Sequence, residues 1–209
     1  VAVSDLFEPR PDTSKTHNDT VGTFRSGEVK RGKPTTLQAF RVTCVDEDTA
    51  ETISEELGGD VVEHDNDKEP LQVYTNATKV AVIFESIESG FKLWVNNEFV
   101  RSCNGQIQTG GDHAGERCPC ADLTLQERKD SKGGCRPSIE VTFRIKSLPE
   151  LGLFKFRSSS WSLLESVQGA ERKVDEARDD DRKVNGSIAI EQVTTKIGRV
   201  LTLPRVVAQ

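Results

Sequence analysis

The chain has 209 residues, 34% of them hydrophobic and 30% charged, with a formal net charge of −6. That length supports a sizeable core, whereas the acidic balance argues against non-specific nucleic-acid binding as the main activity, because such binding needs a basic surface that displaces counterions, and the 28 Lys and Arg leave room only for a local one. No run of about eighteen apolar residues is present to span a membrane, and Val1-Ala2-Val3-Ser4-Asp5 lacks the basic-then-apolar order of a secretory signal.

Residues 1–20 are polar, with Pro9 and Pro11, and are expected to form a flexible N-terminal arm. Thr23 to Val29 reads as a first strand and Lys30-Arg31-Gly32-Lys33-Pro34 as a turn. Leu37 to Cys44 is a second strand, with Phe40 and Val42 on one face. A helix follows. Asp48 is placed to cap it and Glu51 to sit three residues on, while Ala50, Ile53 and Leu57 form its apolar stripe and Gly58-Gly59 its end. Further strands are expected at Asp60 to Glu63, Leu71 to Thr75, Lys79 to Phe84 and Phe91 to Val95, the last turning through Asn96-Asn97 into Glu98 to Arg101.

From Cys103 to Cys135 the chain is rich in Gly, Asp, Lys and Arg, and only Ala121 to Lys129 reads as helical. Beyond it, Ile139 to Ile145 alternates strictly as a half-buried strand, and Leu153 to Arg157 is another. Leu163, Val167, Ala170, Val174 and Ala177 recur at three- and four-residue steps and mark an amphipathic helix. Asn185-Gly186 is read as a break before a C-terminal hairpin of Ser187 to Lys196 and Val200 to Leu203, turning at Gly198. The expected fold class is α+β: a mainly antiparallel sheet or partly open barrel with two or three helices. Residues 21–209 form a single β-rich domain in this reading, with a zinc-bound insertion at 103–135.

The metal expectation rests on cysteine spacing. Without a secretory signal, five Cys do not read as a disulfide framework. Four of them, Cys103, Cys118, Cys120 and Cys135, make the pattern C-x14-C-x-C-x14-C within a segment too polar to build its own core. Four thiolates complete a closed tetrahedral Zn²⁺ site of the structural kind, and the coordination supplies the folding energy the segment lacks. His113 is the one nearby imidazole and is the alternative fourth donor. Cys44, in a strand-like run, reads as a small buried hydrophobe.

Catalysis finds no support. His113, Glu116, Pro119 and Cys120 superficially resemble the elements of zinc deaminases, but His113-Ala114-Gly115-Glu116 and Cys118-Pro119-Cys120 have the wrong spacing. A closed four-Cys site also leaves no position for an activated water. His17, His64 and His113 have no nucleophile signature beside them, so the expectation is a protein that is not an enzyme.

One longer pattern resembles a known family. The order Leu37…Phe40-Arg41-Val42-Thr43, Gly58-Gly59, Val73-Tyr74-Thr75, Leu93-Trp94, Arg101-Ser102-Cys103-Asn104-Gly105, Cys118-Pro119-Cys120, Cys135-Arg136-Pro137 and Leu148-Pro149-Glu150-Leu151-Gly152 covers roughly Val21 to Val206. It is similar to the phage recombination directionality factors of large serine integrases, in their actinophage-type, zinc-cysteine form. The resemblance implies a cytoplasmic protein of the bacterial host cell. Its expected partner is a serine integrase bound to attachment-site DNA, which it switches from integration to excision without cutting DNA itself. The alternative is a phage single-stranded-DNA-binding or replication-associated protein that contacts nucleic acid directly. Phe91, Trp94, Phe99, Phe154, Phe156 and Trp161 would then stack on bases, interleaved with Lys92, Arg101, Lys155 and Arg157. Against that reading, core packing is the ordinary use of such aromatics.

Overall fold

A computed structural model describes residues 20–30, 32–96, 98–131, 133–194, 198 and 200–209. The arm expected over residues 1–20 lies, except for Thr20, outside the described residues, as do Arg31, Asn97 and the Thr195-Lys196 end of the expected C-terminal strand.

Strands β1 (Thr20–Lys30) and β2 (Lys33–Cys44) form a hairpin, followed by helix α1 (Glu47–Leu57) and the short strands β3 (Val61–Glu63) and β4 (Leu71–Tyr74). Strand β5 (Lys79–Val95) turns into β6 (Glu98–Cys103) and β7 (Gln108–Gly111), and helix α2 (Leu125–Asp130) precedes β8 (Arg136–Ile145) and β9 (Leu153–Ser158). Helix α3 (Trp161–Asp179) and the hairpin of β10 (Val184–Thr194) and β11 (Val200–Ala208) complete the order. The strands run β11-β10-β5-β8-β9-β1-β2-β4-β3 in one sheet, curled into a half-barrel, with β6 on β5 and β7 on β6. Every pairing is antiparallel except β1 with β9. The α+β, mainly antiparallel expectation therefore holds, with three helices among the described residues.

Period-two alternation sends Phe24, Phe40, Phe154 and Phe156 to the inner face, where all are fully buried beside Phe143. Phe24 meets Phe40, Phe143 and Phe154 edge-on at centroid separations of 5.5, 5.4 and 5.5 Å, a geometry that adds to simple burial. Helix α3 lays the expected stripe of Leu163, Val167, Ala170, Val174 and Ala177 against this core. It also buries Glu171, whose carboxylate accepts from the Ser89 N–H at 3.2 Å and from the Ser89 hydroxyl at 2.6 Å. On the outer face Lys155 and Arg157 are both held by Glu140, at 3.1 and 2.7 Å.

Several expectations are corrected. The strands read as Lys79 to Phe84 and Phe91 to Val95 are one strand, because the polar stretch between them pairs with β8 throughout, past a bulge between Phe84 and Ser86. The cap of α1 is Asp46, not Asp48: its side chain accepts from the Thr49 N–H at 2.8 Å, so the helix starts earlier. Helical structure expected over Ala121 to Lys129 is confined to α2, whose start is set by a capping box between Thr124 and Glu127. Asn185-Gly186 does not break the chain but lies inside β10, paired with β5 and β11. Glycine is required there by packing: a Cβ on Gly186 would lie 2.1 Å from the Val207 carbonyl oxygen and 2.5 Å from the Phe84 ring.

Gly186→Ala is therefore expected to destabilise the protein by about 1–3 kcal/mol, the usual cost of overpacking. Urea unfolding should show a lower midpoint, and an unchanged midpoint would contradict this packing.

Candidate metal centre

Four thiols from three stretches of chain meet at one point. Cys103 is the last residue of β6, paired with Phe91 of β5 on one side and Gln108 of β7 on the other. Beyond it, the Asn104 side chain accepts from the Gln106 and Ile107 N–H groups at 3.0 and 2.9 Å. The chain then returns: the Cys118 N–H donates to the Gln106 carbonyl at 2.7 Å, after an isolated bridge between Ile107 and Arg117. Cys118-Pro119-Cys120 is fixed by tight turns, with Ala121 N–H on the Cys118 carbonyl and Leu123 N–H on the Cys120 carbonyl. Cys135 arrives last, one residue before β8.

All four thiols are buried, none is in a disulfide, and their sulfurs lie within 4.8 Å of one another. Cys118 and Cys120 are 3.2 Å apart and Cys120 and Cys135 3.8 Å apart. Tetrahedral coordination with Zn–S bonds of about 2.3 Å places sulfurs about 3.8 Å from each other. The donor set and its spacing thus fit a divalent metal held by Cys103, Cys118, Cys120 and Cys135. His113 is not part of the cluster: it is exposed, and its Nδ1 lies 3.3 Å from a Glu116 carboxylate oxygen.

Thiols packed this closely cannot ionise independently. Hydrogen bonds with Cys120 and Cys135, then burial, push Cys103 far up. Cys120 is lowered by Cys103, but Cys135, burial and Cys118 outweigh that contact and push it up to about 12. Hydrogen bonds from Cys103 and Cys120 hold Cys135 well below the ordinary thiol range, with Arg101 beside it. A bound cation removes this competition, because each sulfur then faces positive charge. Cys44 stands apart: burial first, then Glu69 and Asp46, push it up to about 12, as befits an inert core thiol.

The residue that sequence reasoning missed is Arg128. It is 1% exposed, and its Nη2 donates to the Gly105 carbonyl at 2.7 Å and to the Cys120 carbonyl. Its guanidinium carbon sits 4.7 Å from the centroid of the Phe91 ring. Phe91 in turn lies 6.1 Å from Trp161 at the start of α3. One arginine thus ties both cysteine loops to the sheet, and the stacked Phe91 links them to the helix. A signal was present: Thr124-Leu125-Gln126-Glu127 is a capping-box sequence, which fixes where α2 starts and hence where Arg128 points.

A half-barrel sheet with a buried cluster of four thiols that could hold a metal ion defines the class of this β-rich protein. The chain belongs to the Gp3-like family, described as recombination directionality factor-like, whose profile matches residues 21–207. No solved structure matches it. Among the described residues, no helix is long and apolar enough to cross a membrane.

Natively purified protein is expected to carry one Zn²⁺ per chain by elemental analysis, and Cys103→Ser or Cys120→Ser to release it and speed hydrogen exchange across residues 103–135. Arg128→Gln should keep the four thiols yet weaken zinc binding about 10- to 100-fold, the usual cost of losing an outer-shell partner. A chelator competition giving wild-type affinity for that variant would contradict the role assigned to Arg128.

Proposed function

We propose that this protein binds a serine integrase on its attachment-site DNA and biases it from integration to excision, acting as a phage recombination directionality factor in the host cytoplasm. The observation that carries the reading is membership of the recombination directionality factor-like family over residues 21–207. We assign the four-thiol cluster one structural Zn²⁺. Its four protein donors fill a tetrahedron, so the ion shapes the protein and does not bind substrate. The activity is accordingly that of a binder, not an enzyme.

Charge supports a protein partner. An acidic chain of net charge −6 has little reason to hold bare duplex DNA but complements the basic surface of a DNA-bound recombinase. Reversing the direction of a reaction requires different affinities for two integrase–DNA arrangements, because equal affinity shifts nothing. A preference of about 3 kcal/mol changes the balance more than a hundredfold, an ordinary coupling energy.

The single-stranded-DNA alternative loses much of its stacking surface. Phe91, Phe154 and Phe156 are buried in the core, and Lys155 and Arg157 are occupied by Glu140.

The test combines purified protein, the integrase of the same phage, and both pairs of attachment sites. Excision is expected to appear and integration to fall as the protein is added. If excision stays absent and integration is undiminished at saturating protein, the proposed function is wrong.

A further inference from the structure

The β5–β6 hairpin has two different faces. One carries Phe91, Leu93, Arg101 and Cys103 and is rooted on the thiol cluster. The other leaves Trp94 58% and Phe99 44% exposed, their rings in edge-to-face contact at 5.5 Å. Directly behind this aromatic pair, the cross-strand register aligns Ser102 of β6, Lys92 of β5 and Arg136 of β8. A half-open cleft of about 320 Å³ lies alongside, lined by Lys92, Leu93, Trp94, Val95, Gly133-Gly134 and Arg136, with no carboxylate among them. Lys92 forms no ion pair among the described residues.

We propose that this hairpin face is the surface that docks onto the recombinase, and that its occupant is an apolar protein segment flanked by carboxylates. The inference rests on the recombinase-binding function proposed above. Exposed Trp beside Phe is the composition of interface anchors, which concentrate binding energy when a partner desolvates them. The acidic balance of the whole chain acts at long range on the basic DNA-bound recombinase, whereas at the contact itself two cations and no carboxylate line the cleft, so the segment that seats there carries carboxylates. A nucleic-acid occupant fits less well. Binding by counterion release grows with the number of phosphates neutralised, and two cations, Lys92 and Arg136, neutralise few. Trp94 and Phe99 also lie at 69° to each other, so they form no parallel platform for successive bases. Because β6 ends in Cys103, the thiol cluster holds the anchor pair in place, which limits the ordering cost of docking.

The experiment measures binding of full-length protein to the purified integrase assembled on attachment-site DNA. Folding and zinc content of each variant are checked by circular dichroism and elemental analysis. Trp94→Ala and Phe99→Ala are each expected to weaken binding at least tenfold. Lys92→Glu should weaken it several-fold and reduce its salt dependence, while Val29→Ser, which removes an exposed apolar side chain elsewhere, should bind as wild type. Folded Trp94→Ala and Phe99→Ala variants that bind within twofold of wild type overturn the docking surface and leave the recombinase reading standing. Absence of binding by the wild type overturns both. If Trp94→Ala abolishes binding to a single-stranded oligonucleotide but not to the integrase, the face serves nucleic acid and the proposal is wrong.

Discussion

Thirty-three residues from Cys103 to Cys135 have too few apolar side chains to fold as a unit, yet they stand between two strands that flank β5. What organises them is the convergence of four sulfurs within 4.8 Å. Each sulfur arrives on a different local device: the end of β6, a returning strand-like stretch, a proline-centred turn, and the start of β8. Coordination at the proposed metal site would supply free energy to join them, on the order of 10 kcal/mol in isolated zinc-finger peptides.

Two arginines make the arrangement compatible with a protein interior. Four thiolates around a divalent ion keep a net negative charge, which is costly to bury unless it is answered. Arg101 stands beside Cys135, and Arg128 reaches the backbone carbonyls of Cys120 and Gly105 while its guanidinium covers Phe91. The contact continues through Phe91 to Trp161 and the start of α3. The cluster is therefore joined to the main core through aromatic packing.

Much of this was legible in the sequence, and the exceptions have physical causes. Cysteine order picked out the four thiols that the fold brings together, because thiols have few other uses at such spacing in a polar segment. Alternation and helical stripes placed β8 and α3, since one-sided burial imposes a period on the residue pattern. Strand β5 was split because Glu85 to Gly90 is polar: Ser89 is satisfied by Glu171 from α3, 82 residues away, and no local pattern signals that contact. Gly186 read as a break for a related reason, since glycine in a strand signals close approach only when the neighbouring strand is known. The capping box sets the direction of Arg128 but not its burial, because its carbonyl partner at Gly105 is 23 residues away.

The central claim is that four sulfurs and no other donors surround one metal ion. X-ray absorption at the zinc edge on natively purified protein tests it most directly. The account predicts a single shell of four sulfurs at about 2.3 Å. A shell containing nitrogen or oxygen, or a sample with no zinc edge, would contradict it.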